Sequence, residues 1–260
     1  LKGSEHAIWK VLATDCDFGP DGALYVTDWT QGWSQPGKGR LYRVYEPSAR
    51  DAELAKTTRA LLASGVAKKT EDELRALLSF ADRRVRLAAQ FELVARGEKG
   101  RNVLEEVAKR GADVRARVHG VWGLGILARR GSHAVVPVLL SLLVDDEAEV
   151  RAQAARMLGD VREKQAFAPL LARCSDASPR VRFHAAIALG RIGNPSALNA
   201  LVQLARETKD EDPVLRHAAI FGLAGTQRPE GLLKLADDPD VNVRLAAVVA
   251  LRRHASPLVA

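Results

Sequence analysis

The chain has 260 residues, 47% hydrophobic and 27% charged, a composition that suits a folded domain and excludes an intrinsically disordered tail. Its longest apolar run, residues 135–144, carries Pro137 and Ser141 and falls well short of the roughly 20 residues a bilayer-spanning helix needs, so no membrane span is expected. The net charge of +7 is uneven: residues 1–46 hold 5 Lys and Arg against 6 Asp and Glu, and the remainder, with 34 against 26, stands at +8.

The opening at Leu1 has neither an initiator Met nor a signal-type apolar core and reads as the interior of a domain, so the segment is expected to be cut from a longer chain. Tyr25, Tyr42 and Tyr45, together with Trp9, Trp29 and Trp33, all precede residue 47. Apolar and polar residues alternate through Ala23-Leu24-Tyr25-Val26-Thr27-Asp28-Trp29 and again through Arg40-Leu41-Tyr42-Arg43-Val44-Tyr45, the period of a half-buried strand. Gly19-Pro20-Asp21-Gly22 forms a tight turn before the first, and residues 8–13 read as a third strand. Three strands bury little core alone, so this region is expected to pack on the first helices or to complete a sheet whose other strands are missing. Such a piece should expose an apolar face or dimerise through it. Asp28, Trp29 and Trp33 stand at or just beyond a strand end, where loops gather ligand contacts, although packing is the plainer role for at least one of the tryptophans.

From Ser48 onward the pattern is helical. Ser48 is expected to cap a helix running to about Ala63, within a linker region at 47–69, and Thr70-Glu71-Asp72-Glu73 is a capping box. A phrase then returns six times, anchored on Arg86, Arg115, Arg151, Arg182, Arg216 and Arg244. One residue before each arginine stand Val85, Val114, Val150, Val181, Leu215 and Val243; three after, Ala89, Val118, Ala154, Ala185, Ala219 and Ala247; seven after, Leu93, Trp122, Leu158, Leu189, Leu223 and Leu251. Columns four residues apart form one stripe along a helix, and the small central residue lets a neighbouring helix approach. Ser178-Pro179, Asn194-Pro195, Asp212-Pro213 and Asp238-Pro239 read as helix starts, while Gly97, Gly111, Gly131, Gly193 and Gly225 read as left-handed stops. The predicted fold is mainly α: an α-α superhelix of about six repeats over 70–260, preceded by the linker helix and a small β segment at 1–46.

The stretches Val150-Arg151-Ala152-Gln153-Ala154-Ala155-Arg156-Met157-Leu158-Gly159 and Val181-Arg182-Phe183-His184-Ala185-Ala186-Ile187-Ala188-Leu189-Gly190 resemble the short bacterial HEAT repeat. That resemblance implies that the second helix of each pair lines a concave face and that the six arginines form a structural ladder with acids at neighbouring turns. The candidate acids are Asp82, Asp113, Asp145 or Asp146, Asp176, Asp212, and Asp237 or Asp238. The opening region, through Gly19-Pro20-Asp21-Gly22-Ala23-Leu24-Tyr25-Val26-Thr27-Asp28-Trp29, Gly32-Trp33 and Pro36-Gly37-Lys38-Gly39-Arg40, is similar to the closing propeller blade of membrane-bound-dehydrogenase-like proteins of planctomycetes and verrucomicrobia. This second resemblance implies a propeller before the repeats, often a haem-binding cytochrome c segment after them, and a periplasmic or extracytoplasmic location. The chain contains no Cys-x-x-Cys-His, so no cofactor is expected in this segment and any quinone or haem chemistry would lie outside it.

The residues themselves point to no catalytic or metal site. None of the six histidines is followed by Glu, and His119, His184 and His217 scatter around their helices. Cys16 and Cys174 form no zinc or redox spacing, and no nucleophile elbow or phosphate loop is present. The +8 helical region keeps a DNA-binding HEAT-like protein as an alternative, but with Trp122 as its lone aromatic of stacking size beside phenylalanines, nucleic acid is disfavoured as a partner. Two residues after each arginine the column reads Ala88, Arg117, Gln153, His184, Ala218 and Ala246. With Gln90 and Arg156 it makes a polar patch on the concave face where a protein or peptide ligand is expected, solvated surface being the plainer reading. The expected function is a noncatalytic interaction or spacer scaffold within a larger extracytoplasmic dehydrogenase-like protein. The alternative is part of a quinone- or haem-linked sugar dehydrogenase whose catalytic parts lie elsewhere.

Overall fold

The computed structural model describes residues 11–29, 37–48, 52–208 and 212–254. They form two compact units, one of residues 1–68 with 80–88 and one of residues 69–79 with 89–260.

The first unit holds an antiparallel sheet of β1 (Ala13–Phe18), β2 (Leu24–Trp29) and β3 (Gly39–Val44), with β2 in the centre. Strand β1 occupies 13–18 and shares only Ala13 with the strand expected at residues 8–13; Val11 and Leu12 are not in a strand, and residues 8–10 lie outside the described residues. The Asp15 and Asp17 carboxylates obscure this strand in the sequence, because Asp favours local hydrogen bonding over ladders. Each accepts the N–H of the next residue, from Cys16 and Phe18, at 2.8 Å. The turn at 19–22 closes through Gly19 N–H to the Ala23 carbonyl at 2.8 Å, with Gly22 left-handed at φ 77°. Pro47 and Ser48 are themselves helical, so Ser48 is not a cap, and its hydroxyl donates to Glu46 at 3.1 Å; residues 49–51 lie outside the described residues, and helix α1 (Glu53–Ser64) opens on Ala52, which has no side chain to cap it. Residues 80–88 join this unit through Arg84, which donates to the Phe18 carbonyl at 2.7 Å and the Gly19 carbonyl at 3.2 Å while paired with Asp82 at 2.6 Å.

The repeats follow as consecutive helices: α2 (Glu71–Leu77), α3 (Arg83–Ala95), α4 (Glu98–Arg110), α5 (Val114–Arg129), α6 (Val136–Ser141), α7 (Ala148–Asp160), α8 (Phe167–Arg173), α9 (Pro179–Ile192), α10 (Leu198–Glu207), α11 (Pro213–Thr226), α12 (Pro229–Leu233) and α13 (Val241–Arg253). Short 3-10 turns flank α6 and precede α8 and α10. The repeated arginines lie on α3, α5, α7, α9, α11 and α13, and the apolar columns are the core. Every residue of the plus-three column is buried, and the minus-one and plus-seven columns are buried except at Val114 and Trp122, which are half-buried. The Thr70 capping box forms with bonds of 3.2 and 2.7 Å.

Second helices of successive repeats touch where side chains vanish. A Cβ on Gly159 would lie 2.6 Å from the Ala188 Cβ, and one on Gly190 would lie 3.0 Å from the Gly222 Cα. Gly97, Gly131 and Gly193 are left-handed helix ends, whereas Gly111 is not, with φ −59°. Gly225 lies inside α11, where a side chain would collide with the Gly190 carbonyl. The last helix begins at Val241 and is capped by Asp240, which accepts from Asn242 N–H at 2.7 Å, rather than beginning at Asp238-Pro239. Ser178 precedes α9 without a side-chain cap.

Candidate functional site

The arginines clamp backbone. The turn joining the two helices of a repeat leaves carbonyls that no helix satisfies. Arg86 donates to the carbonyls of Phe80 and Ala81, both at 2.7 Å; Arg151 to Asp145 and Asp146 at 2.7 and 2.9 Å; Arg182 to Asp176 and Ala177 at 2.9 and 3.5 Å; Arg244 to Asp238 and Pro239 at 2.8 and 3.0 Å. In the second repeat Arg115 is exposed and pairs with Asp113 at 2.9 Å, and it is Arg117 that reaches the carbonyls, of Ala108 at 3.0 Å and Lys109 at 3.4 Å. Arg117 also pairs with Asp145, so it is held in the framework instead of standing on an open contact column. Arg216 is half-buried on α11.

The acids act first as turn locks. Asp82, Asp113, Asp145, Asp176 and Asp238 each accept the N–H two residues ahead at 2.8 to 3.0 Å, and Asp212 caps Leu215 at 2.8 Å. A rung between repeats forms where Arg151 grips both oxygens of Asp176 at 2.9 Å. Burial alone would raise the Asp176 pKa, but the Arg151 bonds and the Ser178 N–H outweigh it and hold the carboxyl below its usual range.

Two of the five expected contact residues, Gln90 and Gln153, lie along one polar string. Gln90, buried on α3, bonds His119 Nδ1 at 2.7 Å; His119 meets the Trp122 ring edge-on at 5.0 Å. The Trp122 indole donates to the Gln153 Oε1 at 2.8 Å, and Gln153, also buried, donates to Glu149 at 2.7 Å. Arg180 pairs with Glu149 at 2.6 Å. His184 lies beyond it, half-buried, its pKa lowered to about 4 by burial first and then by Arg180 and Arg156. Gln90 and Gln153 therefore join repeats internally; a polar residue between apolar columns looks solvated in sequence and is paired in the fold.

Above this string runs a groove of about 370 Å³ lined by Gln90, Phe91, Trp122, Ile126, Arg129, Arg156, Met157 and Asp160. Phe91, on α3, is 54% exposed there. Trp122 and Ile126 on α5 are half-buried beside it. Arg129 and Arg156 are exposed; Arg129 shares Asp160 with Arg191, and no ion pair holds Arg156 among the described residues. The groove thus combines an apolar floor with surplus positive charge. Phe91 was legible only as an aromatic breaking a helical surface, five residues after Arg86 as Arg156 is after Arg151.

On the sheet, Asp28 is 6% exposed and is occupied by Leu12 N–H at 2.9 Å and the Tyr42 hydroxyl at 3.3 Å. Trp29 is 40% exposed, and Trp33 lies outside the described residues. Asp21, which sequence reasoning passed over as a turn residue, gathers Arg43 at 2.6 Å, the Tyr25 hydroxyl at 3.1 Å and Ala23 N–H at 3.2 Å. Its carboxyl is held low chiefly by Arg43. Both cysteines are free; burial pushes the Cys174 thiol up to about 12, which removes it as a nucleophile. Among the described residues no cluster of three His, Cys, Asp or Glu could hold a metal, and no helix is long and apolar enough to cross a membrane.

The HEAT repeats family profile matches residues 101–176 and 136–212. No curated protein sequence matches the chain. Among solved structures, the chain is similar to YibA of Escherichia coli, with TM-score 0.51 and 20% identity, over 82% of this chain and 77% of that one. It is also similar to the CpcE and CpcF complex of phycocyanin lyase from Nostoc sp. PCC7120, with TM-score 0.49 and 21% identity, over 61% of this chain and 66% of that one. The chain therefore spans just under two thirds of that relative's length. A designed armadillo repeat protein in complex with peptide (KR)4 gives TM-score 0.44 and 18% identity, over 69% and 97% of the two chains. At these identities the likeness to YibA is one of fold. Arginine-clamped helix pairs and the profile match identify HEAT repeats at residues 101–212, within a helical repeat solenoid that comes after a small antiparallel sheet in the N-terminal region.

Proposed function

We propose that this segment is a noncatalytic interaction scaffold whose contact surface is the groove of α3, α5 and α7, on what the HEAT resemblance would make the concave face. The observation that carries the reading is Phe91, exposed beside Trp122 and Ile126 with Arg156 lacking an ion-pair partner among the described residues. Aromatic and arginine side chains at the centre of a concave patch are the usual energetic anchors of protein contacts. The ligand is a peptide segment with one apolar side chain for the floor and acidic residues for Arg129 and Arg156. Peptide display against the chain should enrich such sequences, and the peptides should bind Phe91→Ser and Arg156→Glu at least about tenfold more weakly, roughly 1.4 kcal/mol each. Equal binding to both variants would overturn the proposal.

A second reading concerns the parent chain. All of β1 is exposed and both outer strands leave apolar side chains uncovered, with Phe18 and Leu41 each 64% exposed, as a propeller blade without its neighbours would. The proposed parent is an extracytoplasmic dehydrogenase-like protein in which this solenoid spaces a propeller from a haem segment. Translating the native gene on both sides tests it: flanking blades and a Cys-x-x-Cys-His support it, and their absence removes it. DNA binding is less favoured because Arg86, Arg151, Arg182 and Arg244 are committed to carbonyls; a DNA affinity falling with salt at a log slope near −0.9 per phosphate would restore it.

A further inference from the structure

At the C-terminal end of α7 the groove opens onto an edge of positive charge. Asp160, which lines it, pairs with Arg129 of α5 at 3.5 Å and with Arg191 of α9, and so draws in an arginine from the helix on either side. The turns after α5, α7 and α9, residues 127–136, 158–166 and 189–197, hold Arg129, Arg130, Arg162, Lys164 and Arg191, all exposed, against Asp160 and Glu163. Glu163 is engaged by Gln165 N–H at 2.9 Å. Five cations outweigh two carboxylates and the roughly half negative charge at each of the three helix ends.

Arg162 stands where the other repeats place glycine. The left-handed residue is Gly97 after α3, Gly131 after α5 and Gly193 after α9, but Arg162, at φ 52°, after α7. Helices α5 and α7 end alike: Gly131 and Ser132 N–H reach the Ala128 and Leu127 carbonyls at 2.9 and 3.0 Å, and Arg162 and Glu163 N–H reach Gly159 and Leu158 at 3.1 and 3.0 Å. A left-handed backbone presses the Cβ toward the following carbonyl, a cost that glycine escapes, and Arg162 is the sole non-glycine with positive φ among the described residues. No ion pair holds its guanidinium among the described residues, and Asp160, two residues earlier, is shared by Arg129 and Arg191. Its Cα lies within about 7 Å of that of Asp160. A strained, exposed arginine at the end of a groove points to a ligand more than to the fold.

We infer that Arg162 is a ligand contact, and that the binding surface runs on past Asp160 to Arg162 and Arg191, where it takes an acidic run of the bound peptide; this rests on the groove being the contact surface. Packed helices lie about 8–10 Å apart, so the path from α5 to α9 is roughly 16–20 Å, which about five or six extended residues at ~3.3 Å each would cover. The ligand therefore has two unlike parts. One apolar side chain fills the floor of Phe91, Trp122 and Ile126, and beside it about five or six residues rich in Asp and Glu reach Arg129, Arg156, Arg162 and Arg191. Charge complementarity selects the acidic run, and the backbone strain at Arg162 is the mark of a charge kept for binding.

The test reads stability and binding on the same variants of the whole chain. Arg162→Gly should raise the melting temperature by roughly 2 °C, because it removes the strain. A labelled display-selected peptide, followed by fluorescence anisotropy at low salt, should bind that variant about fivefold more weakly, and the difference should shrink as salt rises. Arg162→Lys, which keeps the charge, should bind as the unaltered chain does. Peptides selected on the unaltered chain should carry the acidic run beside an apolar residue; a selection without such runs overturns the inference. Full binding by Arg162→Gly, with binding still weakened by Phe91→Ser and Arg156→Glu, overturns the inference alone and leaves the groove. Full binding by Phe91→Ser and Arg156→Glu overturns the groove reading, and the inference falls with it. A melting temperature lowered by Arg162→Gly assigns the charge to the fold and overturns the inference too.

Discussion

Asp176 joins more of the framework than any of the repeated arginines. Its side chain is 3% exposed; it accepts from Arg151, Arg173 and Ser178 N–H, while its own carbonyl accepts from Arg182. Replacing it with Ala leaves Arg151 buried without its charge partner, which should cost about 3–5 kcal/mol in urea denaturation. Asp113→Ala, which removes the cap on Arg115 N–H and a pair with an exposed arginine, should cost less, about 1–2 kcal/mol in the same measurement. His184 sets a pH dependence. Its folded pKa is lowered to about 4 by burial and by Arg180 and Arg156, against about 6.5 unfolded, so the unfolded chain takes up the proton first. The stability it contributes is complete above pH 6.5 and is lost as pH falls towards 4; in His184→Gln that part of the profile should flatten. Asp176, held low, contributes stability above its unfolded pKa that disappears as pH falls through the lowered value. At this scale the sequence showed where Asp and Arg recur but not which atom each serves. An arginine reaching a carbonyl leaves no pairing signal, and that is why Arg117 read as a contact residue and Arg115 as a rung.

The helices were legible because three apolar columns at one spacing survive six repetitions, and burial follows those columns with Val114 and Trp122 half-buried. Strand β1 was hidden by its aspartates, and the start of α13 moved to Asp240 because Asp238 is occupied in the preceding turn, accepting from Asp240 N–H at 2.9 Å. The glycines divide by a property that sequence does not display. Gly193 is needed for its left-handed backbone, whereas Gly159 is needed for the absence of a side chain. Gly159→Val should therefore destabilise by about 1–3 kcal/mol through overpacking against Ala188, measured as a lowered melting temperature. Gly131→Asn, at a left-handed position with open space around the Cβ, should change it far less.

For the whole molecule, a repeat architecture was readable from periodicity, and the groove was readable in part. Gln90 and Arg156 line it, but its floor of Phe91, Trp122 and Ile126 comes from three side chains that sequence spacing assigned to packing or left unremarked. Sequence separation explains the gap: α3, α5 and α7 contribute to one concavity from residues about 30 apart, and only stacking brings them together. The surplus charge at Arg129 and Arg156 gives the site a sign, so binding of an acidic peptide should weaken as salt rises. The most direct measurement is hydrogen exchange by mass spectrometry of the chain with and without a display-selected peptide. Slowed exchange confined to the segments around residues 90–91, 122–129 and 156–160 is the outcome this account requires. Protection elsewhere, with those segments unchanged, would contradict it.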